Sequence, residues 1–420
     1  MIRKHLVLFS LYLVALLFYS FWSYSLTDPN LVLTSWPVYW HFQQWMWQTF
    51  FHNPSLLTAF YAVTILAIFI PYLLMLKFNK FRQLLIPLIL VCLVLAFSYN
   101  ALSHDVFNYI FNAKMLVTYH ADPHTQVALN FADDPWLRFM HNTHTPAPYG
   151  YTWTIISILP YILGLGKFTL TLFVFRLWEI LALISTYLIL KKHSTKKLNY
   201  LFLLFFNPLI LIEIISNGHN DLWMLTPAVL SFLIINKILQ LKKITSSTSI
   251  LAMLSLGLLL FSASIKIATI VLIPIWVVLF LSLILKSYNL LNQQYQQIVN
   301  NFWPLICSLL MFLPLFTLRS QQFHPWYLSW SMIWFIFFHS ADAKVPQNRI
   351  YPLWLRVEKI WMWAVVILSL ASMLRYLPFL YYGQFDDQVL LMQKLITWVP
   401  FILALIVGTI LTSTHKFTKK

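Results

Sequence analysis

Long apolar runs joined by short polar links dominate the chain, and their lengths are those that cross a bilayer. Runs of roughly 16–25 residues, enough to span a hydrocarbon core as helix, fall near 5–25, 55–77, 83–101, 168–190, 199–216, 222–240, 249–264, 267–286, 298–318, 325–340, 360–380 and 389–412. Three stretches depart from this pattern. Segment 32–54 sets Trp36, Trp45, Trp47, Phe50 and Phe51 among polar residues and reads as an amphipathic helix lying on the membrane surface. From Ser103 to Tyr151 runs the only long polar segment, rich in His, Asp and aromatics and far longer than a turn between helices requires. Tyr151 to Gly166 is apolar enough to span, yet Pro160, Gly164 and Gly166 weaken a regular helix, so it reads as re-entrant or interfacial. The pattern predicts an all-α, polytopic membrane helix bundle of about 12–13 transmembrane helices. It forms one domain over 1–420, with a large external loop at 102–150 carrying interfacial helices.

Composition agrees: 60% of residues are hydrophobic and 10% charged, more apolar surface than a soluble protein can hide. The first run, Leu6 to Phe21, follows Arg3-Lys4-His5, but large aromatics occupy the place of a small-residue cleavage site, so it is expected to stay as a span. Cys92 and Cys307 both lie in apolar runs, which argues against a disulfide framework or a thiolate metal site. A net charge of +16 would suggest nucleic acid in a soluble protein. Here the Lys and Arg gather between alternate runs, at Lys77, Lys80 and Arg82, at Lys191, Lys192, Lys196 and Lys197, at Lys242 and Lys243, and at Lys286. Placing these in the cytoplasm puts both termini inside and loop 102–150 outside, in an integral protein of the cytoplasmic (plasma) membrane with no nucleic-acid partner. Asp28, Asp105, Asp122, Asp133, Asp134, Asp221, Asp386 and Asp387 then face outward, while Glu179 and Glu213 sit within spans.

Polar chemistry is thus concentrated on one face. Asp105 stands just beyond the outer end of a span, at the depth of a lipid head group. Lys266, in Ser264-Ile265-Lys266-Ile267, is a costly charge among apolar residues unless it meets an anion, and a lipid phosphate suits it. Arg319 and His324 stand at the outer end of a later pair of runs, where the planar fork of Arg suits phosphate. Trp326 and Tyr327 fit either a sugar-binding surface or an interfacial aromatic belt. Ser216 to Asp221 is a turn, but His219, Asn220 and Asp221 exceed what a turn needs, and hydroxyl recognition would use them. Asp122 precedes Pro123 and serves as a turn former or a sugar contact. Arg176 and Glu179, three apart, are expected to pair, and Glu213 to face the bundle interior. His120, His124, His141 and His144 read better as loop histidines than as a metal site, so no metal ligand is assigned.

The conjunction of Ser103-His104-Asp105-Val106-Phe107-Asn108-Tyr109, Pro148-Tyr149-Gly150, Asn217-Gly218-His219-Asn220-Asp221 and His324-Pro325-Trp326-Tyr327 resembles the GT-C-type integral-membrane glycosyltransferases, and most nearly their polyprenyl-phosphate-mannose-dependent mannosyltransferases. The resemblance covers roughly residues 85–340. It departs at His104, where related enzymes often carry a second acid, and at Tyr151, where they tend to have Pro. The resemblance implies an inverting transferase that moves a hexose, mannose above all, from a polyprenyl-phosphate donor to a lipid-linked or cell-surface glycan acceptor. It makes Asp105 the catalytic base. Lys266, Arg319 and His324 would hold the donor phosphate, and His104, Asp122, Tyr149, His219, Asn220, Asp221, Trp326 and Tyr327 the sugar or acceptor. An oxocarbenium-like transition state with a lipid phosphate leaving group asks for one base and a few cations. No cofactor is therefore expected, a divalent metal being allowed but not required. The competing expectation is a transporter or flippase of lipid-linked sugars, whose polar residues should line a path through the bilayer.

Overall fold

The computed structural model of the chain describes residues 2–29, 31, 33–78, 83–193, 198–241, 245–316, 322–338 and 350–414. Among them there is helix and loop and no strand, as a bilayer demands of an open-ended chain that must satisfy its own backbone groups.

Among the described residues eight helices are long and apolar enough to cross a membrane, and a bent pair, taken as one span, makes a ninth. In order, α1 (Ile2–Ser23) leads to α2 (Pro37–Met46), which lies across the bundle end with a π-helical turn at Trp47–Phe51. α3 (Pro54–Phe78) and α4 (Leu85–Ala96) follow, then α5 (Asp105–Thr118) and α6 (Tyr151–Leu163). After α7 (Phe168–His193) comes the bent pair α8 (Leu198–Phe205) and α9 (Pro208–Leu211), the latter continued by a π-helical turn at Ile212–Ser216. α10 (Asp221–Gln240), α11 (Ser246–Ile265), α12 (Ile273–Ser287) and α13 (Gln293–Leu310) complete the middle of the chain. α14 (Leu328–Met332), α15 (Ile350–Leu374), α16 (Leu377–Tyr382) and α17 (Asp387–Thr414) close it.

Where the spans end matters more than how many there are. The described parts of the links 24–29 and 33–53, with 97–150, 217–220, 265–267, 322–327 and 375–386, come together at one end of the bundle, while Lys77, Lys191, Lys192, Lys237 and Lys286 stand at or near the opposite helix ends. α6 has 13 residues, about 20 Å at helical rise, and both of its ends are tied to the first of these ends: Gly150 N donates to Ile265 O at 2.9 Å, and Gly164 packs against Thr171 at the start of α7. It therefore does not cross, in keeping with the Pro and Gly that weaken it.

Three expectations about elements need correction. Run 325–340 is not one spanning helix: Pro325–Tyr327 and Ile333–Phe337 are 3-10 turns flanking the five residues of α14. α14 is buried on all sides, Ser331 pairing with Ser308 and Trp330 with Asp221, so packing replaces the regular lipid-facing helix. Runs 83–101 and 298–318 yield only the shorter apolar helices Leu85–Ala96 and Asn301–Phe316. The surface helix of 32–54 is shorter too, confined to α2 and its π turn because Pro37 fixes its start and Pro54 begins α3.

The bend of 52° between α8 and α9 is set by Asn207-Pro208, since proline removes a helix hydrogen bond and clashes with the preceding turn. Asn207 covers the break: its Oδ1 accepts from Leu209 N at 3.0 Å, and its Nδ2 donates to Ser369 Oγ at 3.0 Å and Tyr72 OH at 3.2 Å.

Candidate active site

The site is assembled from six chain segments that meet at the loop-bearing end. Asp105 is the first residue of α5, where the exposed amides of a helix N-terminus favour a carboxylate. Tyr109, one turn later on the same face, directs its hydroxyl to Asp105 Oδ2 at 3.4 Å. Tyr149 donates to the same oxygen at 2.8 Å, and its ring meets Tyr109 edge to face at 5.3 Å. What allows Tyr149 to reach this position is Gly150. A Cβ there would stand 1.8 Å from Ser264 O, so only glycine lets the loop lie against the end of α11.

That contact also carries Lys266, which sits in extended backbone just after α11. Its Nζ lies 4.8 Å from the centre of the Tyr149 ring and 3.0 Å from Asp221 Oδ1. Asp221 opens α10 and accepts from Trp330 Nε1 at 2.6 Å with the same oxygen. The turn before it places His219 between two carboxylates: Nδ1 is 3.5 Å from Asp105 Oδ2, and Nε2 is 3.4 Å from Glu213 Oε2. Glu213, fully buried on the π turn, also accepts from Asn217 Nδ2 and Tyr376 OH, each at 2.9 Å. Gly218 takes φ +75°, the left-handed conformation that this tight turn needs, and a Cβ there would press on Val106 at 3.2 Å. The His219 ring stacks on Trp326 at 3.7 Å, and Trp326 stacks in turn on His324 at 4.4 Å.

Burial alone would raise the Asp105 carboxyl; His219, the Tyr149 hydroxyl and Lys266 outweigh it and hold the group well below the usual carboxylate range. His219 moves the other way. Burial pulls it down, but Asp105 and Glu213 together raise it above an ordinary imidazole. Burial brings His324 down to about 4, so it is neutral at pH 7 and offers a hydrogen bond rather than a charge. His104, stacked on His141 at 3.8 Å, is likewise lowered by burial to about 4.

The cluster has a front and a back. Asp105 keeps 21% of its side chain exposed, and Tyr149, His324 and Tyr327 are half-buried around it. His219, Asn220, Asp221 and Glu213 have no exposed surface. His219, Asn220 and Asp221, expected to recognise hydroxyls, stand behind Asp105 here: Asn220 Oδ1 faces Tyr109 OH at 3.4 Å, and Asp221 is the counter-ion of Lys266. Lys266, 7% exposed, is correspondingly a paired charge and not a free one. Asp122 ties its own turn to the start of α6, accepting from His124 N at 2.9 Å and Tyr151 OH at 3.0 Å. Arg319 lies outside the described residues.

Arg176 and Glu179 do not pair. Arg176 donates instead to the carbonyls of Ala96, Ser98 and Ser216, because the end of α4 leaves carbonyls unsatisfied just where the side chain arrives. Sequence reasoning also missed members of the site. Tyr109 and Tyr376 carried no signal beyond being aromatic, and Glu213 was legible only as an acid in an apolar run. Arg375, nearly buried between α15 and α16 and 5.9 Å from the Phe323 ring, brings a positive charge close enough to act on His324. Among the described residues no three His, Cys, Asp or Glu side chains are grouped to hold a metal ion.

Helices long and apolar enough to cross a membrane, with a partly exposed Asp105 beside cations and aromatics at one end, agree with the class that the family match gives, the GT-C-type glycosyltransferases. The chain belongs to the MptA_B family: residues 26–282, more than half of its length, match the family described as alpha-(1->6)-mannopyranosyltransferase, N-terminal domain. It is therefore a membrane mannosyltransferase, acting between a sugar donor and a glycan acceptor. No curated protein and no solved structure matches it.

Proposed function

We propose that the protein transfers mannose from a polyprenyl-phosphate donor to a lipid-linked or cell-surface glycan on the external face of the cytoplasmic membrane, with inversion and with Asp105 as general base. The observation that supports this reading is Asp105 itself, held well below the usual carboxylate range by its neighbours yet one-fifth exposed at the loop-bearing end of the bundle. A base of this kind takes the acceptor hydroxyl proton as the hydroxyl attacks the anomeric carbon. An alpha product made with inversion requires a β-linked donor. The leaving lipid phosphate is already a weak base and needs only cations and hydrogen-bond donors. Lys266 and Arg375 supply charge there, and neutral His324 donates a hydrogen bond. Tyr149 and Tyr327 offer ring faces and hydroxyl groups to the sugar, Trp326 stacks behind His324, and His104 and Asp122 shape the rim. The basic helix ends opposite the site, Lys77, Lys191, Lys192, Lys237 and Lys286, favour the cytoplasm and so support an external site.

The test is a transfer assay in proteoliposomes with labelled mannose on either a polyprenyl phosphate or a nucleoside diphosphate, with and without chelator. We expect label to move only from the lipid donor, at a rate unchanged by chelator. Transfer from the nucleotide donor alone would overturn the donor assignment, and loss of transfer on chelation would overturn the metal-free reading.

A further inference from the structure

Away from Asp105, two hollows join on the outer flank of the bundle. The larger, about 980 Å³, lies between Tyr24, residues 33–35 and Tyr39 on one side and the end of α4 and the start of α7 on the other. The smaller, about 520 Å³, runs down between α1 and α4 over Leu17, Phe21, Leu93 and Val94. Tyr24 and Phe97 line both, so the two form one groove. From Tyr24 to Leu17 is seven residues of helix, so the furrow descends about 10 Å into the bilayer. Leu17, Leu93 and Phe97 are more than half exposed, which opens the furrow sideways to lipid.

The mouth is polar and positive. Lys167 stands exposed at it beside Thr34, Ser35 and Thr169, and Arg176 forms part of its wall. Among the described residues no carboxylate lines the groove. Arg176 is 7% exposed, and its three hydrogen bonds all go to carbonyls; its Nε has no partner, and no carboxylate of the described residues pairs with it. A buried guanidinium without a counter-ion is an unfavourable arrangement that an anion entering the hollow would relieve.

We propose that this groove binds an anionic membrane phospholipid, its phosphate held by Lys167 and Arg176 at interfacial height and one tail lying along Leu17, Phe21, Leu93 and Phe97. Cationic pockets between membrane helices are suited to such head groups. The groove shares no lining residue with the Asp105 cluster. A sugar carrier seated here would leave its phosphate apart from the base, so a lipid of the surrounding bilayer fits the position better. The site is independent of which sugar donor the enzyme uses. It approaches the active site through Ser216, three residues before His219, which bonds to Arg176, Ser98 and Tyr99 of the groove wall.

The experiment is native mass spectrometry and thermal unfolding of the purified full-length protein in detergent, titrated with phosphatidylglycerol, phosphatidylcholine or an isoprenyl monophosphate. Phosphatidylglycerol should add one retained lipid and raise the melting temperature by about 3 °C or more at saturation, with phosphatidylcholine much weaker. Lys167→Glu, an exposed position, should abolish that retention while leaving lipid-free melting unchanged. Equal effects of both phospholipids, retention undiminished in Lys167→Glu, or retention of the isoprenyl phosphate alone would each overturn the proposal.

Discussion

His219 stands between Asp105 and Glu213, and much of the chemistry of the site follows from that. A cationic imidazole there lets two carboxylates share a buried volume and keeps the outer one ionised. The raised value has a definite sign for stability. The contribution is fully present below about 6.5, the ordinary histidine value, and is lost as pH rises through the higher folded value. Melting temperature should therefore fall as pH is raised through that window, and His219→Gln should flatten the fall. Glu213→Gln should move that fall in melting temperature to lower pH; a melting profile unchanged in Glu213→Gln would show that His219 does not depend on it. The sequence put Asp105 just beyond the outer end of an apolar run, and the structure makes it the first residue of α5. The place of Glu213 was not legible, because its role depends on the π turn, which swings it under His219 and which no residue pattern announces. Nor could spacing alone show that Arg176 would find backbone carbonyls before it found Glu179.

The elements were read well where length and apolarity decide them and poorly where packing does. α1, α3, α7, α10, α11, α12 and α17 stand where their apolar runs predicted. α14 does not continue as a spanning helix because it is enclosed by α10, α13 and α15 and makes side-chain bonds to the first two. α6 was legible as a non-crossing helix from Pro160 and its glycines, and the hinge that makes it useful is Gly150, which sets Tyr149 over Lys266. Gly150→Ala must displace Ser264 or the loop itself. We expect a loss of about 1–3 kcal/mol from overpacking and a larger proportional loss of transfer, measured by chemical unfolding beside the proteoliposome assay. Stability and activity both within error of the parent would show that the contact does not position Tyr149.

At the scale of the whole molecule the governing fact is polarity of arrangement: catalytic candidates at one end, described basic helix ends near the other. Cys92 and Cys307 are buried, so single introduced cysteines can report sides against a quiet background. A membrane-impermeant thiol reagent applied to intact cells should label Asn142→Cys and spare Lys192→Cys; the reverse would place the site in the cytoplasm. The account's central claim, that one carboxylate serves as the base, is tested most directly by Asp105→Asn in reconstituted vesicles, measuring mannose transfer and donor binding together. General-base catalysis contributes about 10²–10⁴-fold, so we predict a loss of at least about a hundredfold in transfer, with donor affinity within about twofold of the parent. Turnover at about one-tenth of the parent rate or better, well above what loss of a base allows, would contradict it.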